Sequence, residues 1–195
     1  MKILAVSDVL SNKYYRYYRK GVLNDIDLIL SCGDLKPEYL EFLVTMAGCP
    51  LVYVHGNHDD RNEREPQGCI CADGRLVDVN GLRILGLGGS YRYRDGEYMY
   101  SEKEMKNRIR RLWLPIKKHR GFDILLTHAP AQGINDLDDL PHKGFACFRN
   151  LIEQYEPTYF VHGHIHRNYG VRVPQKTETD HTTVINAFDY CMIDL

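Results

Sequence analysis

The chain has 195 residues, of which 44% are hydrophobic and 26% are charged, which is enough apolar material to bury a sizeable core. Its 25 Lys and Arg residues nearly balance its 26 Asp and Glu residues, for a formal net charge of -1. This balance argues against a protein that coats nucleic acid or an anionic membrane, because such proteins carry a large excess of positive charge. No linker or repeat divides the sequence, so we expect a single domain over residues 1–195.

The cysteines and the apolar runs bear on where the protein works. Six cysteines are spread along the chain without paired C-x-x-C spacing, and only Cys69 and Cys71 lie close together, which is weak evidence for a metal site. The apolar run at residues 3–6 is too short for a signal peptide, and no run is long enough to span a membrane. We therefore expect a cytoplasmic protein with reduced thiols and no membrane partner.

Short apolar runs alternate with segments of helical periodicity, which indicates an α/β architecture. The first predicted strands are residues 3–6 and 28–30. Pro37 begins the first predicted helix, which Gly48 ends. A further apolar run at residues 51–54 predicts the next strand.

Two more helices and two terminal strands follow. Ser101 and Glu104 form a capping box at the start of the second helix, and Pro115 is expected to kink or fray its last turn. The third helix is predicted over about residues 143–155, and residues 182–195 are predicted to form two strands.

Apolar runs at residues 124–126 and 159–161 predict two further strands. Polar side chains follow five of the predicted strands, those at residues 3–6, 28–30, 51–54, 124–126 and 159–161, at the point where each strand ends. They are Asp8, Asp34, the pair Asn57 and His58, His128, and the pair His164 and His166. In α/β sheets the carboxyl ends of the strands form the rim where ligands bind. Strands with a purely structural role would be followed by ordinary turn formers, so this pattern favours a functional site.

Oxygen and nitrogen ligands of these types suit Mn, Fe or Zn. The absence of a cysteine cluster beside them argues against a structural zinc site. His164 and His166 lie two residues apart, so in extended chain they face the same way with Cα atoms about 6.5 Å apart. Two such imidazoles can flank a metal pair separated by about 3.5–4 Å. A carboxylate between the ions offsets their repulsion, and Asp34 is the natural candidate.

Four sequence motifs together resemble those of the calcineurin-like metallophosphoesterases. They are Gly33-Asp34, Gly56-Asn57-His58-Asp59, the isolated His128, and Gly163-His164-Ile165-His166. Each motif alone is weak, but four in order, each after a predicted strand, cover almost the whole chain. The resemblance implies a β-sandwich of two sheets flanked by helices on both outer faces, a four-layer fold.

The same resemblance implies the ligand set. One ion would be held by Asn57, His128 and His164, the other by Asp8 and His166, and both by Asp34. His58 resembles the family residue that contacts the phosphoryl group and protonates the leaving oxygen. A structural imidazole remains the alternative for His58, as does a turn or cap role for Asp8. His55 and His162 are expected to orient neighbours or pack in the core rather than to bind metal.

The first motif departs from the family pattern. The family usually has D-x-H there, whereas this chain has Asp8-Val9-Leu10, and leucine cannot bind a metal. We therefore expect a tight site around Asn57 and a weak, exchangeable site at Asp8 and His166. Water, Asn12 or a substrate atom are the alternatives for the missing ligand.

The implied activity is hydrolysis of a phosphate ester, a small phosphodiester or nucleotide, through a metal-bound hydroxide. Mn, Fe, Zn or Ni are all compatible with the ligands. The main alternative is a catalytically weak scaffold or binding protein that retains the fold with a partly degraded metal site. Leu10 favours the scaffold, whereas His58 and the other ligand positions favour the enzyme. Charge balance disfavours a nuclease, and the residues do not specify an oligomeric state.

Overall fold

Short aliphatic runs form strands, and the amphipathic segments between them form helices. The computed structural model describes residues 1–167 and 173–195. The strands are β1 (Lys2–Ser7), β2 (Leu28–Ser31), β3 (Leu51–Tyr53), β4 (Ile70–Cys71), β5 (Arg75–Val79), β6 (Leu82–Leu87), β7 (Ser90–Tyr91), β8 (Met99–Tyr100), β9 (Ile124–Thr127), β10 (Tyr159–His162), β11 (Lys176–Glu178), β12 (Thr183–Asn186) and β13 (Asp189–Asp194). The α-helices are α1 (Pro37–Ala47), α2 (Glu102–Arg111), α3 (Trp113–His119) and α4 (Ala146–Tyr155), and a π-helical turn spans Asn12–Arg16.

Two sheets contain most of the strands. The five-stranded sheet has the order β13-β1-β2-β3-β4, in which β1 to β4 are parallel and β13 is antiparallel to β1. The six-stranded sheet has the order β11-β12-β10-β9-β6-β5, with β12, β10, β9 and β6 parallel to one another. Its edge strands β11 and β5 are antiparallel to their neighbours. The parallel strands bring their carboxyl ends to one edge of each sheet.

Three clusters of buried apolar side chains separate the layers. Ala5 of β1 and Leu126 of β9 belong to the cluster between the two sheets. Leu4, the neighbour of Ala5, belongs with Leu43 of α1 to the cluster on the outer face of the five-stranded sheet. Phe148 of α4 lies in the cluster that covers the outer face of the six-stranded sheet. Both faces of both sheets are therefore buried, which confirms the predicted four-layer fold of two sheets between helices.

The first helix agrees with the sequence, whereas the second differs from it near Pro115. The predicted capping box is present, since Ser101 Oγ accepts from the Glu104 backbone N–H and Glu104 accepts from the Ser101 N–H. The prediction of one continuous helix beyond it is wrong, because α2 ends at Arg111 and a new helix starts at Trp113. Pro115 explains the break, since a proline removes one hydrogen bond and its ring crowds the carbonyl four residues earlier, that of Arg111. None of the described helices has the length and apolar character that a membrane crossing requires.

Helix α4 begins three residues later than predicted. Phe145 donates its N–H to the Pro130 carbonyl (3.1 Å) and pairs with Ala131 as an isolated bridge, so the chain before the helix is extended. A Cβ at Gly144 would lie 2.4 Å from the Ala131 carbonyl carbon, which shows how closely the two segments approach. This long-range pairing competes with the first turn of the helix and delays its start.

The two terminal strands form as predicted but belong to different sheets. β12 pairs with β10 in the six-stranded sheet, whereas β13 pairs with β1 in the five-stranded sheet. The chain crosses at Ala187 and Phe188, where the Ala187 N–H donates to the His162 carbonyl (2.7 Å) and Phe188 pairs with Ser7. The crossing joins the two sheets next to the ends of β1 and β10.

Candidate metal centre

The carboxyl ends of β1, β2, β3, β9 and β10 meet at one rim of the sandwich. Two contacts tie the sheets together there. The His164 backbone N–H donates to both carboxylate oxygens of Asp8 (3.2 and 3.0 Å), and His128 Nδ1 donates to the Cys32 carbonyl (2.8 Å). Loops of one sheet thus contact loops of the other, and polar residues distant in the sequence converge.

Three of the predicted ligands have a left-handed backbone. The φ angles are 67° at Asp8, 57° at Asp34 and 66° at His164. Residues other than glycine adopt this region at a cost and only where the surrounding structure demands it, which happens most often at functional sites. Here each left-handed residue lies within three residues of the end of a strand. Asp8 follows β1, Asp34 follows β2 and His164 follows β10, and the bend in the backbone directs each side chain toward the rim.

The centre of the site is a buried group of three side chains. One ligand atom each from Asp8, Asp34 and His128 lie within 4.8 Å of one another. His128 Nε2 is 3.4 Å from Asp34 Oδ2 and 2.9 Å from Asn57 Oδ1. Since the Nδ1–H of His128 already donates to a carbonyl, Nε2 faces two acceptor oxygens. Such an arrangement requires a cation or a second proton at Nε2.

The protein fixes which nitrogen of each histidine is available. His128 donates through Nδ1 to the Cys32 carbonyl, and His164 donates through Nε2 to the Pro141 carbonyl (2.7 Å). The two rings lie 4.8 Å apart between centroids. Each ring therefore keeps one nitrogen lone pair for a ligand, which is the usual arrangement of metal-binding histidines. With two carboxylates and an amide oxygen, this donor set fits divalent ions.

Electrostatics keeps Asp8 ionised and His164 neutral, which are the forms that bind metal, whereas the carboxylates around His128 favour its protonated form, so a bound cation would have to replace that proton. Burial raises the pKa of Asp8, but its hydrogen bond with His166 and the charge of His128 outweigh this and lower it to about 2. Burial lowers the pKa of His164 to about 3, so this imidazole is neutral. Burial also acts to lower the pKa of His128, but the carboxylates of Asp34 and Asp8 outweigh it and raise the pKa.

His166 extends the site on the Asp8 side. Its Nε2 lies 3.5 Å from Asp8 Oδ1, and the ring packs 4.6 Å from the ring of Phe188 between centroids. A hydrogen bond from the end of β12 holds the loop that carries both motif histidines, since the buried Asn186 side chain donates to the Ile165 carbonyl (2.8 Å). The structure thus brings His166 to Asp8, and His164 to His128.

His58 lies at the mouth of the site. Its side chain is exposed, while its backbone N–H donates to Asp34 Oδ1 (2.7 Å). The following residue, Asp59, has a role that sequence reasoning missed. Asp59 Oδ2 accepts from the N–H groups of Gly56 (2.7 Å) and Asp34 (3.2 Å) and so holds two motif loops together. The sequence feature that could have indicated this role is its position as the last residue of the second motif.

Tyr93 is a second residue that the sequence did not indicate. Asn57 Nδ2 donates to its hydroxyl (3.4 Å), which orients the amide so that Oδ1 faces His128. Tyr93 follows the small strand β7 and has no motif around it. Only the folded chain brings it to Asn57.

The remaining candidates fall around the site. Leu10 is 46% exposed and offers no ligand atom. His162 is fully buried and donates through Nδ1 to the Gly163 carbonyl (2.9 Å), and burial lowers its pKa to about 4, so it is a core residue. His142 lies beside the centre, with its ring 5.4 Å from that of His164 and Nδ1 2.7 Å from Asp139.

Comparison with known proteins identifies the family. The sequence profile of the calcineurin-like phosphoesterases matches residues 1–168. This chain belongs to the calcineurin-like phosphoesterase family. Family members generally bind divalent metals and act as phosphoesterases, and the group of Asp8, Asp34 and His128 is a candidate ligand set in this member.

Curated relatives of this chain include two nematode proteins. It is 26% identical to UPF0046 protein K07C11.7 of Caenorhabditis elegans, over 96% of this chain and 69% of that protein. A second UPF0046 protein of C. elegans is also 26% identical, over 80% of this chain and 63% of that protein. The chain thus spans about two thirds of the length of these relatives.

The fold resembles a solved bacterial structure. TT1561 of Thermus thermophilus superposes with a TM-score of 0.67 at 17% sequence identity, over 96% of this chain and 89% of that chain. At this identity the similarity concerns the fold alone.

Proposed function

We propose that this protein is a metal-dependent phosphoesterase that hydrolyses a small phosphodiester or nucleotide. One observation carries the proposal: Asp8, Asp34 and His128 hold their ligand atoms within 4.8 Å of one another beneath the exposed His58. Buried acidic and imidazole ligands next to an exposed proton donor are the parts that metal-assisted ester hydrolysis needs.

In this proposal the ligands divide around Asp34. Asn57, His128 and His164 hold one ion, Asp8 and His166 hold the other, and Asp34 is shared. Bound divalent ions supply local positive charge that attracts an anionic phosphate and makes water more acidic. This local charge explains how a chain with a net charge of -1 binds an anion. Mn, Fe, Zn and Ni suit the donors, and manganese is the first ion to test.

His58 is the proposed proton donor to the leaving-group oxygen. The hydrogen bond from its N–H to Asp34 attaches the base of the side chain to the shared carboxylate, while the imidazole is exposed to an incoming ester. Asp59 acts as a positioning residue, since it holds Gly56 and Asp34 in place without reaching the substrate itself.

The activity test compares two histidine variants of the metal-loaded protein. Metal-stripped protein is reloaded with Mn²⁺ and assayed on an aryl phosphodiester, an aryl phosphomonoester and a nucleotide. We expect His58→Asn to lower kcat by about 10²–10⁴-fold, the range for losing a general acid, with metal content unchanged. His119→Asn, at the exposed end of α3, is the matched control and should retain wild-type turnover.

The same assay separates the enzyme from the alternative function. A catalytically weak scaffold or binding protein is favoured by Leu10, which stands where the family usually has a ligand. Wild-type turnover no higher than that of His58→Asn with every ester would support the scaffold and refute the enzyme.

Leu10 also leads us to propose that the ion at Asp8 and His166 is the weaker one. After loading with Mn²⁺ and extensive dialysis the wild type should retain about one equivalent of manganese, and Leu10→His should retain two, because the added imidazole restores a ligand beside Asp8. Leu114→His on α3, which adds an imidazole at another exposed leucine, is the control. Equal retention of two equivalents by the wild type would contradict the proposal, and metal analysis by mass spectrometry measures it.

The net charge bears on the binding partner, and the cysteines bear on the cellular location. A near-neutral chain lacks the basic excess of a nucleic-acid or membrane binder, so a small phosphate ester is the proposed partner. All six cysteines are free thiols, which supports a cytoplasmic location.

A further inference from the structure

A second group of metal-binding side chains lies outside the candidate centre, at the edge of the five-stranded sheet. One ligand atom each from His55, Glu65 and Cys71 lie within 4.8 Å of one another. His55 Nε2 is 3.7 Å from Glu65 Oε1. The group combines an imidazole, a carboxylate and a thiol, and shares no residue with the first centre.

The pairing of β3 with β4 builds this group. Tyr53 lies opposite Cys71 in the parallel register, and the Ala72 N–H continues the pairing by donating to the Tyr53 carbonyl (2.9 Å). Side chains two residues apart point to the same face of extended chain. His55 therefore lies on the same face of the sheet as Cys71. The continued pairing places Asp73 beside it on the neighbouring segment.

The His55 ring is held rigidly with one nitrogen directed at the group. Its Nδ1 donates to Asp73 Oδ2 (3.1 Å), and its ring stacks on Tyr98 at 4.5 Å with only 7° between the planes. Asp73 is itself held by the Gly88 N–H (2.7 Å) and by Arg108. A carboxylate behind a histidine fixes its tautomer and makes its other nitrogen a better ligand, as in many metal sites.

We propose that His55, Glu65 and Cys71 bind a zinc ion. An imidazole with a thiolate selects zinc and similar transition metals over Mg²⁺ or Ca²⁺. Ligand atoms of a tetrahedral zinc site lie about 3.3–3.6 Å apart, as its bond lengths imply, so the observed group needs only small side-chain rotations to close. A cavity of about 30 Å³ lies next to two of the three ligands, His55 and Glu65, and is large enough for a water molecule. Binding releases the Cys71 thiol proton to solvent.

The ion would attach the loop that carries Glu65 to the edge strand β4. The side chain of Glu65 is 65% exposed, whereas the His55 side chain is only 16% exposed and rigid. The zinc site thus joins a surface segment to a fixed one. His55 lies two residues before Asn57, so the ion would stabilise the segment that leads into the loop of the second motif.

Cobalt provides a probe that reports this site alone. Reduced, metal-free protein titrated with Co²⁺ should develop a near-ultraviolet thiolate-to-cobalt charge-transfer band, because Cys71 is a ligand here and the first centre uses only oxygen and nitrogen. Zn²⁺ should then abolish the band by displacing the cobalt. Cys71→Ser should lose the band, and Cys69→Ser, two residues away, should keep it.

Two further variants separate the site from folding and from the first centre. The exposed Glu65→Gln should fold normally and weaken Zn²⁺ binding by at least about tenfold. Asp34→Asn should keep the cobalt band. An absent band in the wild type, a band that survives Cys71→Ser, or unchanged Zn²⁺ affinity in Glu65→Gln would each overturn the proposal.

Discussion

Replacing Asp34 with asparagine should abolish tight binding of both proposed ions at the candidate centre and lower the proposed phosphoesterase activity by more than about 100-fold. Loss of a residue that only orients a ligand costs about 10–100-fold in metal affinity, and a shared ligand should cost more. Asp34 Oδ2 lies 3.4 Å from His128 Nε2, and Oδ1 accepts from the His58 N–H. The amide keeps the shape of the carboxylate but removes the charge that offsets the two cations.

Calorimetric titration with Mn²⁺ and turnover of an aryl phosphodiester measure the effect. The matched control is Asp60→Asn, another acid in the same loop region. Its carboxylate is exposed and, among the described residues, accepts hydrogen bonds from Asn62 alone (2.8 and 3.0 Å), so metal content and turnover should remain at wild-type values. Wild-type affinity for two ions in Asp34→Asn would contradict the assigned role.

Gly33→Ala should produce the largest loss of stability at the rim. Gly33 has a φ of 93°, and a Cβ there would lie 2.2 Å from the Gly56 backbone nitrogen and 2.6 Å from the His55 carbonyl carbon. Backbone atoms cannot rotate away as a side chain can, so the two loops must separate. We expect the free energy of unfolding to fall by about 3 kcal/mol, the upper end for overpacking.

Urea denaturation of Gly33→Ala beside Gly48→Ala isolates the clash. Gly48 ends α1 with a φ of 65°, and a Cβ there would have nothing within 4 Å, so alanine at this position costs only the strain of the left-handed backbone, about 1 kcal/mol. Mn²⁺ affinity should fall in Gly33→Ala and be unchanged in Gly48→Ala. Equal destabilisation by the two substitutions would mean that the close approach of the loops does not matter.

Much of the fold could be predicted because its signals are local. The apolar face of α1 between Pro37 and Gly48, and the capping box of Ser101 and Glu104, depend on residues within a few positions of one another. The sequence predicted that Pro115 would disturb the second helix, but it put the disturbance in the last turn, whereas α2 already ends at Arg111. The proline that ends a helix acts on the carbonyl four residues before it, not on its own turn.

Contacts between distant segments were beyond the reach of such signals. Asn57 is oriented by Tyr93, and His164 by the Pro141 carbonyl, and neither partner stands in a motif. His55 faces Cys71 only because β3 pairs with β4 in one register. Each contact joins residues whose separation in the chain carries no periodic pattern.

The sequence alone determined that polar side chains with metal-binding chemistry end successive strands, and that Leu10 interrupts the first motif. Strand periodicity and the residue types suffice for this, because both are properties of short segments. Only the tertiary structure decided that β12 and β13 enter different sheets and that Asp8, Asp34 and His128 share one buried group. Sheet pairing and burial depend on the packing of the whole chain, and that packing also brings up the charged neighbours that, together with burial, shift the pKa of His128 and His164.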